Sequence, residues 1–167
     1  MKILFIKPPN HGFYHEIVRY YPVGLAYLAA ACRENGFEVK IFDSLVYTED
    51  NCILSDDKLS EGQIYKKNHH PSWNNIISWG ASYKRIEKKI REEKPDVVSI
   101  TAMHSPMYDT AYKIAEIAKE INFNIKVIMG GSHPSIAPEH VLRRSQVDYV
   151  LMGEGEDSIV ELMKCIS

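Results

Sequence analysis

The sequence predicts a doubly wound α/β domain, and three observations carry that prediction. Five short β-rich runs alternate with helical patterns along 167 residues. The first run, residues 2–6 (KILFI), is apolar nearly throughout, as expected of a strand covered on both faces of a parallel sheet. The composition, 45% hydrophobic and 25% charged with 9 Gly and 8 Pro, is that of one ordinary globular domain. Strict alternation implies a parallel sheet with right-handed crossovers and helices on both faces. The expected architecture is a Rossmann-like, flavodoxin-like three-layer sandwich of five parallel strands in the order 2-1-3-4-5. Its ligands would lie outside the carboxyl ends of the strands.

The remaining strands are read at residues 38–42 (EVKIF), 96–100 (DVVSI), 125–129 (IKVIM) and 147–152 (VDYVLM). Helices are read at 22–35, 82–93, 107–121, 138–144 and 157–166. In the first helix Leu25, Leu28, Ala29 and Cys32 give an apolar stripe of period 3.6, and Gly36 supplies a left-handed stop. The third repeats that stripe with Ala111, Ile114, Ala115 and Ala118. One stretch breaks the rhythm: residues 44–81 separate the second strand from its crossover helix. They mix charge runs, His69-His70-Pro71 and the tryptophans Trp73 and Trp79. A structureless loop of that length is unusual inside a compact domain, so one or two short helices are expected there. A lid or interface role stands beside the plainer reading of a solvated insertion anchored by its aromatics.

Charge and cysteines exclude several classes. The formal net charge is −2, with no concentrated basic excess of the kind a nucleic-acid binder shows. No apolar run approaches the roughly 18 residues of a membrane span, and the chain opens without a secretory leader pattern, so the cytoplasm is expected. Cys32, Cys52 and Cys165 are too far apart for a CxxC ribbon, a redox pair or a closely spaced iron-sulfur motif. A chain of this length buries about two thirds of its unfolded surface and needs no metal staple.

The predicted topology sends chemistry to the residues after each strand. Lys7 to Glu16, Thr101 to Pro106, Gly130 to Ser135 and Gly153 to Glu156 therefore form the candidate edge, rich in glycines and small hydroxyls that admit a ligand close to the backbone. Familiar motifs are missing there. No GxGxxG follows the first strand, and GxxxxGK[ST] and GxSxG are absent. Pro8 and Pro9 remove two N–H donors from the place where a flavin phosphate loop would lie. Lys7 and Thr101 stand where a phosphoryl receiver needs carboxylates. No paired carboxylates and no nucleophile–base pair emerge, and His69-His70 lacks partners at metal-ligand spacing.

Five ordered segments then carry a resemblance: K-P-P-N near the start, Y-P-V-G-L-A-Y-L-A-A, K-P-D-V-V-S-I-T-A, V-I-M-G-G-S-H-P-S and V-D-Y-V-L-M-G-E-G-E. Together they resemble the cobalamin-binding domain that precedes the catalytic barrel in one class of radical S-adenosylmethionine enzymes, over nearly the whole chain. The resemblance implies a corrinoid lying across the carboxyl edge, with its nucleotide tail near the third and fourth strand ends. It places Ser99 and Thr101 in the tail pocket, followed by Ala102, Met103 and His104. Gly130 and Gly131 match a Gly-Gly pair where a Cβ would collide with the tail, and Ser132, His133, Pro134 and Ser135 continue that loop. Gly153, Glu154 and Gly155 match the turn on the other side. Pro9, Asn10 and His11, with Gly24 and Leu25, fit segments beside the lower corrin face.

The loop after the first strand reads N-H-G-F-Y-H-E-I-V and lacks the D-x-H-x-x-G of many cobalamin carriers. His11 and His15 remain candidate lower ligands, because imidazole suits cobalt, beside the plainer reading of exposed loop histidines. The resemblance further implies a partner domain with a C-x-x-x-C-x-x-C [4Fe-4S] site and S-adenosylmethionine, which this chain lacks. The expectation is a binding module without catalytic residues of its own, either excised or standing alone, serving a methyltransferase or cyclase. Two alternatives stay open. One is a nucleotide-sugar enzyme domain using Asp43 on a ribose, and the other an interaction module using the 44–81 insertion.

Overall fold

The computed structural model describes residues 1–12, 21–46, 52–53, 77–103 and 107–167. Five parallel strands form the central sheet: β1 (Lys2–Lys7), β3 (Glu38–Asp43), β6 (Val97–Thr101), β7 (Lys126–Gly130) and β8 (Tyr149–Leu151). Their order is β3-β1-β6-β7-β8. Counted among themselves along the chain, that is 2-1-3-4-5. A second, antiparallel sheet joins β2 (Asn10–Gly12), β5 (Ile77–Trp79) and β4 (Cys52–Ile53), in the order β2-β5-β4. Strands of two or three residues are too short to leave a period-two pattern, so this sheet was not legible in the sequence.

The helices are α1 (Val23–Glu34), α2 (Tyr83–Glu93), α3 (Tyr108–Ile121), α4 (Ser132–Ile136), α5 (Pro138–Leu142) and α6 (Glu156–Ile166). The predicted stripes point inward: Leu25, Ala29 and Cys32 are buried on α1, and Ala111, Ile114, Ala115 and Ala118 on α3. Ser82 caps α2 by accepting the Arg85 N–H at 3.4 Å. Helix α4 was not expected, since Gly131 and Pro134 mark its short segment as a turn. The expected helices within 44–81 are represented, among the described residues, only by a 3₁₀ turn at Ser44–Val46.

Alternation along the strands divides the interior into two cores. Leu4, Ile6, Val98, Ile100, Val127 and Met129 face one side and pack with α2 and α3. Ile3, Phe5, Val97 and Ile128 face the other and pack with α1 and α6. This is why β1 reads as a continuous apolar run: both of its faces are covered. The 44–81 insertion leaves and rejoins the sheet at a single point, where Ala81 N donates to Ser44 O at 2.8 Å. Gly80 is required there, because it has φ +111° and a Cβ would lie 2.6 Å from that carbonyl.

Candidate functional site

The α1-side core is apolar until the last row of the sheet. On that face Ile3 and Phe5 of β1 are followed by Lys7, Val97 of β6 by Ser99 and Thr101, and Ile128 of β7 by Gly130. Where the row turns small and polar, a cavity of about 680 Å³ opens between the sheet, α1 and the start of α6. Leu25 and Leu28 of α1 and Leu151 of β8 form its apolar walls, and Ser99, Thr101, Ser132 and Ser135 its hydroxyl groups. The volume suits a bulky ligand, and the position is the carboxyl edge of the sheet.

Two loops shape the cavity, and one hydroxyl joins them. Ser135 Oγ donates to Gly131 O at 2.8 Å and accepts the Gly153 N–H at 2.9 Å. Gly131 has φ +111°, and a Cβ on it would lie 2.9 Å from the backbone oxygen of Ala102. Its glycine is demanded by the chain itself. Gly130 differs, since a Cβ there meets Leu151 at an ordinary 3.6 Å. Its missing side chain leaves room in the cavity that the fold does not need. Gly155 lets α6 approach α1, with Leu28 Cδ2 3.0 Å from where its Cβ would be.

The charged lining is sparse. Lys7 lines the cavity and is 2% exposed, while Glu154 lines it from the turn after β8 and Glu156 from the start of α6. Lys7 Nζ lies 3.3 Å from Asp43 Oδ2, in register across β1 and β3. The other carboxylate oxygen of Asp43 accepts the Leu45 N–H at 2.9 Å. Asp43 does not line the cavity, so the ribose-binding role considered for it does not fit its placement.

Of the residues the sequence selected, Gly24, Leu25, Ser99, Thr101, Met103, Gly130, Gly131, Ser132, Gly153, Glu154 and Gly155 all line this one cavity. Pro9, Asn10 and His11 do not, because the chain after β1 is drawn into the second sheet. His11 pairs with Ser78 there and sits edge-on to the Tyr83 ring, with centroids 6.0 Å apart. It is buried, and desolvation lowers its pKa to about 4. The plainer reading of His11 as an exposed loop histidine is corrected: its imidazole is a buried group of the small sheet and does not line the cavity. His15 and His104 lie outside the described residues. Among the described residues no group of three or more His, Cys, Asp or Glu could hold a metal ion.

Ala102, His133 and Pro134 also fall outside the cavity. Ala102 is fully buried and serves through its backbone, donating to Gly130 O and accepting the His133 N–H. His133 stacks on Tyr108 at 5.2 Å and meets His140 edge-on at 5.7 Å, and burial followed by the nearby His140 lowers its pKa. Sequence reasoning missed Ile136 of the apolar rim, which lines the cavity with Tyr21 and Val23 and like them is largely exposed. The available signal was a large apolar residue beside a predicted strand end, where solvent exposure needs a reason.

Comparisons with known proteins agree with this geometry. A model of the B12 binding domain matches residues 68–163. An uncharacterized methyltransferase of Pyrococcus horikoshii is 36% identical over the whole of this chain, which covers 30% of that protein. The cytidylyl-2-hydroxyethylphosphonate methyltransferase of Streptomyces wedmorensis is 30% identical over 93% of this chain and is covered to 26%. An anaerobic magnesium-protoporphyrin IX monomethyl ester cyclase of Rubrivivax gelatinosus is 29% identical over 99% and is covered to 24%. This chain thus spans less than a third of the length of these relatives. The methanol:cobalamin methyltransferase complex of Methanosarcina barkeri shares the fold, with a TM-score of 0.60 at 13% identity, covering 99% of this chain and 45% of that one. With a cavity of glycines and small hydroxyls at the carboxyl edge of a 2-1-3-4-5 sheet and a family model over most of its length, the chain is a cobalamin-binding module and belongs to the B12-binding domain family.

Proposed function

We propose that this domain holds cobalamin with the nucleotide tail in the cavity and the corrin across the carboxyl edge of the sheet, and presents it to a radical S-adenosylmethionine domain. The observation that carries this reading is the cavity beside Gly130, where the fold leaves out a side chain it could accommodate. Cobalamin, when bound, supplies a cobalt that carries a methyl group or assists a radical step. The chain's own residues bind and orient. Leu25, Leu28 and Leu151 exclude water from the tail, Ser99 and Thr101 offer hydroxyls to its polar edge, and Gly153 with Gly155 lets the backbone close over it. Tyr21, Val23 and Ile136 form an apolar rim suited to a corrin or to a domain seated above it. No described helix is long and apolar enough to cross a membrane, and we read the module as cytoplasmic. A [4Fe-4S] cluster and S-adenosylmethionine belong in this reading to the partner domain, and the parent reaction is a methyl transfer or a cyclization. The Fe–S and substrate chemistry would be carried elsewhere, so this chain alone turns nothing over.

The test is an ultraviolet-visible titration with hydroxocobalamin and cob(II)alamin, on wild type, His11→Ala and His15→Ala. A saturable change toward a base-off spectrum, insensitive to His11→Ala, is expected. Absence of binding at high micromolar protein, both here and in a longer chain carrying the partner domain, would overturn the proposal.

A further inference from the structure

The cavity wall carries a buried cation. Lys7 ends β1, which lies between β3 and β6, and its side chain is 2% exposed. A buried ion pair is seldom more stable than apolar residues of the same size, because both charges lose their hydration. Apolar packing was available: Ile3 and Phe5 precede Lys7 on the same face and are fully buried. Asp43, its ion-pair partner, stands off the cavity while Lys7 lines it. Of the two, Lys7 is the one that brings its charge to the ligand space. Glu154 and Glu156, the other charged lining groups, belong to the turn after β8 and the start of α6, away from the end of β1.

We propose that Lys7 is a specificity-determining residue that selects a ligand carrying an anionic group, and that on the reading above this group is the phosphodiester of the nucleotide tail. Asp43, which accepts from Lys7 Nζ at 3.3 Å, stays outside the cavity. A buried charge is weakly screened, so Lys7 acts on an anion in the cavity with or without direct contact. The inference rests on the cobalamin reading, and the test separates the two.

The experiment compares affinities for cobalamin and for cobinamide, the corrinoid without nucleotide and phosphodiester, in wild type, Lys7→Met and Asp43→Asn. Lys7→Met is expected to weaken cobalamin binding about tenfold or more, the scale of a lost charge-assisted contact, and to leave cobinamide within about twofold. Asp43→Asn retains an acceptor for Leu45 N and is expected not to weaken cobalamin. Equal loss of both corrinoids, no loss of either, or a loss in Asp43→Asn matching that in Lys7→Met would overturn the assignment. Wild-type protein that binds neither corrinoid would overturn the cobalamin reading itself. Should Lys7→Met not fold by circular dichroism, Lys7→Gln takes its place under the same criteria.

Discussion

Ser135 holds Gly153: the hydroxyl of the one accepts the N–H of the other at 2.9 Å across the mouth of the cavity. The same oxygen donates to Gly131 O, so a single side chain fixes the turn after β7 to the turn after β8. Ser135→Ala removes both bonds and leaves the Gly153 N–H to solvent. The expected cost is about 1 kcal/mol in urea unfolding, with a larger loss in corrinoid affinity than in stability. Equal affinity for wild type and variant would show that the two loops are held without this bridge.

The two adjacent glycines separate ligand space from backbone need. Gly130→Val places its methyls beside Leu151 and in the cavity, so cobalamin affinity should fall at least tenfold with the circular dichroism spectrum kept. Gly131→Ala forces a Cβ onto a backbone with φ +111° and against Ala102 O. It should lower stability by roughly 1–3 kcal/mol, measured in denaturant with no ligand present. A reversed pattern, with Gly130→Val unstable and Gly131→Ala silent, would contradict the geometry.

Stability should fall with acid because of His11. Its folded pKa of about 4 lies below the ordinary value of 6.5, so the unfolded chain binds the extra proton between those values. Stability is then complete above about pH 6.5 and is lost as the pH falls toward 4, by up to roughly 3 kcal/mol. His11→Phe retains an aromatic ring against Tyr83 and should flatten that portion of the profile. Urea melts of both proteins from pH 4 to 7 provide the measurement, and parallel profiles would exclude His11 as the cause.

Asp148 ties the fourth and fifth sheet strands together before their pairing begins. One of its carboxylate oxygens accepts Lys119 Nζ at 2.6 Å and Val127 N at 2.7 Å. Asp148→Ala leaves Lys119 Nζ only the Ile125 and Phe123 carbonyls and strands a sheet N–H, and should destabilise by about 1–3 kcal/mol. Asp148→Asn, which keeps an acceptor, should cost less. Thermal melts of the two variants will rank them, and identical midpoints would assign the effect to packing instead.

The central sheet and much of the site are legible in the amino-acid sequence. Apolar runs and helical stripes are local properties, so β1, β6 and β7 and the buried faces of α1 and α3 could be read directly. The expected topology sent Thr101, Gly130 and Gly153 to one edge, and the resemblance added Ser99 to them. Which neighbours those loops meet depends on how distant segments pack. Asn10 and His11 look like ligand-edge residues until strands from a distant insertion pair with them and turn the imidazole into a core group. Gly130 and Gly131 are indistinguishable as letters. One borders open space and the other a carbonyl, because Ala102 arrives from another strand end. Lys7 reads as the polar end of a strand, and its burial beside Asp43 follows from β1 lying between β3 and β6 with β3 in register. Backbone propensity and periodicity are written residue by residue, whereas burial and contact depend on segments far apart in the chain.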